Sequence, residues 1–174
     1  MGRTGASIRS EPRATPYTQG MKVGDIAPDF ELTADNGSTV RLSEELAKGR
    51  VVLFFYPKAM TPGCTAESCT FRDRGKEFEE LGARRLGISL DSVDKQHQFS
   101  TKHGFDYTLL SDKGGQVARE FGVKRALLPF TKRATFVIDT DRRILAIVNS
   151  EFDTDRHAEE ALAALRSTAA SGAA

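Results

Sequence analysis

The chain contains two cysteines, Cys64 and Cys69, both within the segment FFYPKAMTPGCTAESCTFRD, residues 54–73. A cysteine can pack as a small apolar side chain, bind a metal or carry redox chemistry. Upstream of Cys64, an apolar run typical of a strand ends at Pro57, and Thr61 followed by proline is typical of a helix start. The pattern therefore places Cys64 in the first turn of a helix that follows a strand.

The first turn of a helix favours the thiolate form of a cysteine over the thiol. Unpaired backbone N–H groups and the positive end of the helix dipole converge there, and both stabilise a negative charge. Because the thiolate is the reactive nucleophile, we predict that Cys64 is poised to react with an oxidant. The alternative is that Cys64 packs in the core as an alanine would.

Cys69 follows Cys64 by five positions. In a regular helix this spacing gives a rise of about 7.5 Å and an angular offset of about 140°, so the two side chains point to different sides. Their Cα atoms would be roughly 8 to 9 Å apart, beyond the disulfide limit of about 7 Å. Our hypothesis is that the pair alternates between a folded, reduced form and a locally unfolded, disulfide form. Gly63 and Gly75 would make the unwinding less costly.

Two other uses of the cysteines are disfavoured. A zinc site needs further ligands, but the chain has no third cysteine, and His97, His103 and His157 show no mutual ligand spacing. We predict that these histidines lie on solvated helix faces. A thiol hydrolase needs a histidine base near Cys64, and the sequence does not place one there. Since no glycine-rich dinucleotide fingerprint is present either, we expect no metal and no cofactor.

The cysteine segment lies within an alternation of strand-like and helix-like segments. Apolar or β-branched runs of strand length are separated by segments with helical apolar spacing and capping residues. This order predicts an α/β fold with a central mixed β-sheet flanked by helices on both faces. The predicted strands are 51–56, 84–90, 134–140, 142–150 and two short strands around Asn36-Gly37. Four helices are predicted: one begins after Thr61, one spans 92–104 and one ends at Gly122. The fourth follows Asp153 and has Ala158, Ala161, Leu162 and Leu165 on one face.

Composition indicates one globular domain in a chain of 174 residues, with 39 % hydrophobic and 28 % charged residues. The formal net charge of +1 lacks the basic excess typical of nucleic-acid binding. The apolar runs are far shorter than the roughly 20 residues of a membrane span, so we expect neither nucleic acid nor a membrane as partner. Two cysteines without a secretory signal favour a reducing compartment, and we expect a cytoplasmic protein.

The ends of the chain differ from its middle. Residues 1–20 lack apolar periodicity and are rich in Arg, Ser, Thr, Gly and Pro, which predicts a disordered tail; an organelle transit peptide is the alternative. Residues 168–174 are small and polar and are predicted to be a flexible tail. The folded domain is therefore predicted to span residues 21–167.

The cysteine segment resembles the peroxiredoxins. The stretch PKAMTPGC, residues 57–64, matches the PxxxTxxC signature of that family, and GCTAESCTFRD is similar to its bacterioferritin comigratory protein, or PrxQ, branch. The resemblance covers about residues 22–166. It implies a thioredoxin-like fold and a thiol-dependent peroxidase that reduces hydrogen peroxide and organic hydroperoxides, an antioxidant role in cell redox homeostasis.

The resemblance also implies a role for each matched residue. Cys64 would be the peroxidatic cysteine, which attacks a peroxide and becomes a sulfenic acid. Thr61 would hydrogen-bond the peroxide, and Pro57 would shield the site from water. Arg133, in TKRATFVID, would keep Cys64 ionised and stabilise the departing oxygen. Cys69 would be the resolving cysteine, forming an intramolecular disulfide that thioredoxin or a similar dithiol reductant then reduces.

Other features leave alternatives open. Glu67, Arg72 and Asp73 match the branch pattern, but pairing on a helix surface explains them almost as well, so we keep them out of the predicted site. The segment KRALLPFTKRATF departs from the glycine-containing loop of many members. Its apolar ALLPF part could line an access route for organic hydroperoxides or contact a second copy, and we expect a monomer or a weak homodimer. A thioredoxin-like disulfide reductase or a redox sensor could use the same cysteine pair, although a reductase usually carries Cys-x-x-Cys.

Overall fold

The computed structural model describes residues 20–171. Of the predicted N-terminal tail only Gly20 lies among them, and residues 172–174 of the predicted C-terminal tail lie outside them. The described part of the chain forms a seven-stranded sheet with helices on both faces. Its elements are β1 (Glu31–Ala34), β2 (Thr39–Arg41), α1 (Leu42–Leu46), β3 (Arg50–Phe55), α2 (Pro62–Asp73), α3 (Gly75–Glu80), β4 (Ala83–Ser89), α4 (Val93–His103), β5 (Thr108–Ser111), α5 (Gln116–Glu120), β6 (Ala134–Ile138), β7 (Ile144–Asn149) and α6 (Asp155–Ser171).

The sheet has the strand order β2-β1-β5-β4-β3-β6-β7. β3, β4 and β5 pair in parallel, whereas β6 and β7 form an antiparallel hairpin at one edge. β1 and β2 form a second antiparallel pair at the other edge, around the predicted Asn36-Gly37 turn. The prediction of a mixed central sheet is therefore confirmed.

β3 lies inside the sheet because both of its faces are apolar. Its odd-numbered residues 51–55 point into a core covered by α1 and α5, and the even-numbered residues 52–56 point into a core covered by α2, α3, α4 and α6. All six of these side chains are fully buried. Burial on both faces fixes β3 in the fold, and with it the carboxyl end of the strand, where the cysteine segment begins.

α4 begins and ends where the sequence predicts. The Ser92 side chain accepts a hydrogen bond from the N–H of Lys95 at 3.2 Å, which caps the start of the helix. The helix ends at Gly104, which has a φ of 60°. Three shorter elements, α1, α3 and β5, are not predicted, because segments of four to six residues show too little apolar periodicity.

α6 buries its predicted apolar face but is longer than predicted. Ala158, Ala161, Leu162 and Leu165 are fully buried against the sheet. The helix continues to Ser171, past the predicted domain boundary at residue 167, and Arg50 holds this last part through the Thr168 hydroxyl at 2.9 Å. None of the helices in the described part of the chain is long and apolar enough to cross a bilayer.

Aromatic packing supports α2 from beneath. The Phe54 ring stacks on Phe71 of α2, with ring centroids 4.1 Å apart and an interplanar angle of 11°. Gly87 of β4 is the register partner of Phe54. A Cβ at Gly87 would come within 2.7 Å of Leu109 Cδ2 and 2.9 Å of the Phe54 ring, so only glycine leaves the ring this room. Gly87 therefore supports the helix that carries both cysteines.

Replacing Gly87 by alanine tests this packing. We expect Gly87→Ala to lower the free energy of unfolding by about 1–3 kcal/mol, because the added methyl overpacks a closed core. The matched control is Gly114→Ala, at a position where a Cβ meets nothing within 4 Å. Urea unfolding curves measure both variants, and equal stabilities of the two variants would contradict the packing argument.

Candidate active site

A short loop joins β3 to α2 and forms one side of the candidate site. Met60 in this loop has a left-handed backbone with a φ of 67°. Thr61 has the extended backbone of an N-cap residue, and Pro62 opens the helix as predicted. The Thr61 side chain makes no capping hydrogen bond to the helix, because its hydroxyl donates to the Lys58 carbonyl at 2.8 Å. The hydroxyl oxygen keeps lone pairs that can accept a hydrogen bond from another group.

Cys64 lies in the first turn of α2 and is 1 % exposed. Its sulfur lies 3.4 Å from Nη2 of Arg133, which donates a hydrogen bond to it. Gly63 permits this approach, since a Cβ there would lie 3.2 Å from the same nitrogen. The sulfur therefore meets a helix N-terminus and a guanidinium, and both favour a thiolate.

Arg133 reaches this position from the strand next to β3. It immediately precedes β6, whose first residue Ala134 pairs with Phe55 at the end of β3. The Arg133 side chain is 6 % exposed, and its Nη1 donates to the carboxylate of Glu67. Its Nε donates to the Glu151 carbonyl at 3.2 Å. Contacts on three of its nitrogens fix the plane of the guanidinium.

Glu67 is a site residue that the sequence analysis missed. The interpretation of Glu67 as a helix-surface residue is wrong, because its side chain is fully buried and faces Arg133. The spacing was the available signal: three residues after Cys64, Glu67 lies about one turn further along the same face of the helix. Its second oxygen, Oε1, has no hydrogen-bond partner among the described residues. Arg72 and Asp73 do pair with each other near the surface, at 2.8 Å.

The prediction that His157 lies on a solvated helix face is also wrong. It is fully buried, in register with Ala161 on the apolar face of α6. Its Nε2 lies 2.8 Å from the Ser150 carbonyl, and its Nδ1 lies 2.9 Å from the Thr135 hydroxyl. A carbonyl oxygen only accepts, so Nε2 carries the proton, and the neutral ring accepts from Thr135 at Nδ1. Nδ1 also lies 3.7 Å from Oε1 of Glu67.

Burial perturbs the pKa values of these groups. It raises the pKa of Glu67 to about 8, although Arg133 acts in the opposite direction. It lowers the pKa of His157 below its ordinary value. Burial also acts to lower the pKa of Arg133, but the neighbouring Glu67 and Cys64 outweigh it and raise that pKa. At neutral pH the site therefore combines a charged guanidinium with a neutral imidazole and a carboxyl group that tends to hold its proton.

Cys69 lies half-buried further along the same helix, and both cysteines are free. An unbroken α2 separates the two Cα atoms by roughly 8 to 9 Å, so the sulfurs cannot bond while the helix is intact. The Tyr107 hydroxyl donates to the Ser68 carbonyl at 2.7 Å, one residue before Cys69. The predicted placement of both cysteines in one helix is confirmed.

Within residues 20–171 the histidines do not assemble a metal site. No group of three or more His, Cys, Asp or Glu side chains in this range is placed to hold a metal ion. His97 is exposed as predicted. His103 stacks on Phe105, with ring centroids 5.7 Å apart.

A cavity of about 250 Å³ opens beside Pro57. Part of the apolar ALLPF segment forms its wall, and other parts of that segment face solvent: Leu127 is 96 % exposed and Leu128 is 44 % exposed. The cavity is therefore partly apolar and lies against the loop that carries the predicted site residues. Its other lining residues are Lys58, Leu90, Asp91, Pro129 and Phe130.

Comparison with known proteins gives a consistent result. Residues 23–147 match the AhpC/TSA family. A putative peroxiredoxin of Mycobacterium tuberculosis is 58 % identical over 149 residues, which are 84 % of this chain and 97 % of that protein. Peroxiredoxin Bcp of Bacillus subtilis is 43 % identical over 131 residues, 72 % of this chain and 83 % of its own.

A solved structure shows the same architecture. The crystal structure of peroxidoxin BcpB from Mycobacterium tuberculosis superposes with a TM-score of 0.81 at 57 % identity, covering 84 % of this chain and 97 % of that one. The thioredoxin-like fold that the resemblance implied is thereby confirmed. The match extends over the strands and helices that hold Cys64 and Arg133. The chain therefore belongs to the AhpC/TSA family, among the peroxiredoxins of the Bcp and PrxQ branch.

Proposed function

We propose that this member of the peroxiredoxins, which are thiol peroxidases, uses Cys64 as its peroxidatic cysteine and Cys69 as its resolving cysteine. Thioredoxin or a similar dithiol protein is the proposed reductant. The observation that carries the proposal is the 3.4 Å contact between Cys64 Sγ and Arg133 Nη2 at the start of α2. It brings a buried sulfur, a guanidinium and a helix N-terminus to one point.

In the first step the Cys64 thiolate attacks the terminal oxygen of a hydroperoxide. An S–O bond forms and the O–O bond breaks, so the sulfur becomes a sulfenic acid and the second oxygen leaves as water or an alcohol after it takes up a proton. The Thr61 hydroxyl donates to Lys58, so its oxygen is available to accept from the peroxide O–H. The Arg133 guanidinium stabilises the negative charge that develops on the departing oxygen.

The cavity beside Pro57 supports organic hydroperoxides as substrates in addition to hydrogen peroxide. Pro57 is half-buried and lines this cavity. In this proposal its ring limits the access of water to Cys64. The apolar walls at Leu90, Pro129 and Phe130 suit an alkyl group whose hydroperoxide end enters the site. Of the two uses weighed for the ALLPF segment, substrate access is the one we propose.

In the second step Cys69 loses its thiol proton and attacks the sulfenic sulfur of Cys64. The S–S bond forms, the S–O bond breaks, and the oxygen leaves as hydroxide that takes up one proton to become water. Because an intact α2 holds the sulfurs apart, the helix must unwind between the two cysteines. Arg85 holds the Phe71 carbonyl at 2.6 Å and also pairs with Asp106, so we infer that unwinding stops before Phe71. Gly75 packs against the Arg85 side chain, since a Cβ at Gly75 would come within 2.8 Å of Arg85 Nη2. Gly75 therefore has a packing role rather than the predicted hinge role.

A disulfide reductase or redox sensor using the same pair is not favoured by any contact of the described residues. Reductases usually hold their two thiols within one helical turn, whereas Cys64 and Cys69 are five residues apart in α2. Reduction of insulin by the purified protein without consumption of peroxide would support the reductase instead.

Serine variants distinguish the two cysteines. We expect Cys64→Ser to abolish peroxide consumption, because no nucleophile remains. With thioredoxin as the reductant, we expect Cys69→Ser to consume one equivalent of hydrogen peroxide per chain and then to stop, because no disulfide forms. A coupled assay with thioredoxin and its reductase measures both variants, and full turnover by Cys69→Ser would exclude Cys69 as the resolving residue.

Removal of the guanidinium tests its role. We expect Arg133→Gln to slow the reaction of Cys64 with hydrogen peroxide by about 10²–10³-fold, the loss typical of a removed oxyanion donor. The matched control is Arg119→Gln, since Arg119 is an exposed arginine on α5. Stopped-flow spectroscopy measures the second-order rate constant for the reaction of each variant with hydrogen peroxide. Similar rate constants for the two variants would contradict the role assigned to Arg133.

Hydrogen exchange tests the unwinding of α2. In the disulfide form we expect the amides of residues 65–70 to exchange more than about tenfold faster than in the reduced form, because their helical hydrogen bonds open. The amides of α4 serve as the internal control and should not change. Equal protection of residues 65–70 in both redox states would show that the helix does not unwind.

A further inference from the structure

Two acidic groups share the one guanidinium of the site. Nη2 of Arg133 contacts the Cys64 sulfur, and Nη1 of the same side chain contacts the Glu67 carboxyl. Cys64 is 1 % exposed and Glu67 is fully buried. A buried negative charge without a full counter-charge is costly, so one guanidinium does not stabilise two anions equally well. Ionisation of Cys64 therefore favours a protonated Glu67.

The surroundings of Glu67 Oε1 indicate where that proton lies. Oε1 has no hydrogen-bond partner within the described range, and the nearest ring nitrogen of His157, Nδ1, is 3.7 Å away. The Ser150 carbonyl fixes the proton of His157 on Nε2, so Nδ1 carries no hydrogen, and its one lone pair accepts from the Thr135 hydroxyl. The ring therefore offers Oε1 no hydrogen-bond donor. An ionised Oε1 would be a buried anionic oxygen without a donor, whereas a protonated carboxyl group carries no net charge.

The other groups around Glu67 do not supply a second positive charge. Glu151, in the segment after β7, raises the pKa of Glu67 further by its own negative charge. Tyr107 is a buried phenol whose pKa burial raises well above its ordinary value, so it is neutral. His157 is neutral because burial lowers its pKa. Arg133 is therefore the single cation that the described residues bring against Glu67.

We propose that Glu67 holds a proton while Cys64 is a thiolate and gives it up when Cys64 becomes a neutral sulfenic acid. The inference rests on the proposed function of Cys64. Glu67 acts through Arg133, so it is a positioning residue. While Glu67 is protonated, the guanidinium charge stabilises only the Cys64 thiolate. Once the sulfur is neutral, Glu67 ionises and the guanidinium stabilises its carboxylate instead.

The proton balance of the first step changes accordingly. Thiolate, hydroperoxide and the Glu67 carboxylic acid give sulfenic acid, alcohol or water, and the Glu67 carboxylate. The sulfur loses two electrons to the O–O bond, and the departing oxygen gains one proton. Since Glu67 releases one proton in the same step, the protein draws no net proton from the solvent. Without a protonated Glu67, the solvent must supply that proton.

A proton count during one turnover tests the proposal. We would use the full chain carrying Cys69→Ser, so that the reaction stops at the sulfenic acid, mix it with one equivalent of hydrogen peroxide near pH 7, and follow a pH indicator in weak buffer. We expect about zero protons taken up per sulfenic acid formed, and about one when Glu67→Gln is added.

The matched control is Asp112→Asn in the same background. Asp112 is also a buried carboxyl whose pKa burial raises, but it accepts hydrogen bonds from backbone N–H groups of α5 instead of a guanidinium. We expect this control to take up about zero protons, as the parent does. Uptake of one proton by the parent, or none by the Glu67→Gln variant, would overturn the proposal. If no sulfenic acid forms at all, the proposed function of Cys64 fails instead.

Infrared difference spectroscopy gives a second measurement that does not depend on the Glu67 variant folding normally. On addition of hydrogen peroxide to the Cys69→Ser protein, we expect a carboxylic acid C=O band to disappear and a carboxylate band to appear. The bands should be absent from the same difference spectrum of Glu67→Gln where that variant is folded. An unchanged carboxylic acid region in the Cys69→Ser protein, with sulfenic acid formed, would exclude proton release from Glu67.

Discussion

The structure of the site depends on how one buried guanidinium is held. Arg133 is fixed by Glu67 on α2 and by the Glu151 carbonyl after β7, so its remaining nitrogen lies against Cys64. These contacts join two layers of the fold, because α2 packs on the sheet and Arg133 precedes a strand of the sheet. The antiparallel pairing of β6 with β3 brings the arginine to the strand end from which the cysteine loop leaves. The order of the strands is therefore what makes a charged contact of this kind possible.

The helix that carries both cysteines serves two opposed requirements. Its intact first turn places Cys64 at the positive end of the helix dipole, and the same intact helix keeps Cys69 too far away to form a disulfide. Contacts at its carboxyl end, from Arg85 to the Phe71 carbonyl and from Phe54 to the Phe71 ring, anchor the part that follows the cysteines. In the proposed cycle, this anchor beyond Cys69 keeps the domain folded while the segment between the cysteines opens locally.

The sequence predicted the elements with strong periodicity or clear caps, such as β3, α4 and the buried face of α6. It did not predict the burial of Glu67 and His157, because a polar residue in a helix is usually solvated. The partners that replace water around these two side chains come from distant parts of the chain. Arg133 lies 66 residues from Glu67, and Thr135 lies 22 residues from His157. The motif identified Cys64, Thr61 and Arg133 as candidates, but only tertiary structure shows which atoms of these residues meet.

The most direct test is the intact mass of the reduced protein after one equivalent of hydrogen peroxide, with peptide mapping of the product. We expect the loss of two hydrogens, mapped to a link between Cys64 and Cys69 and complete within seconds. An unchanged mass after many minutes would show that Cys64 is not an activated thiolate, and a link or added oxygen elsewhere would contradict the assignment of these two residues.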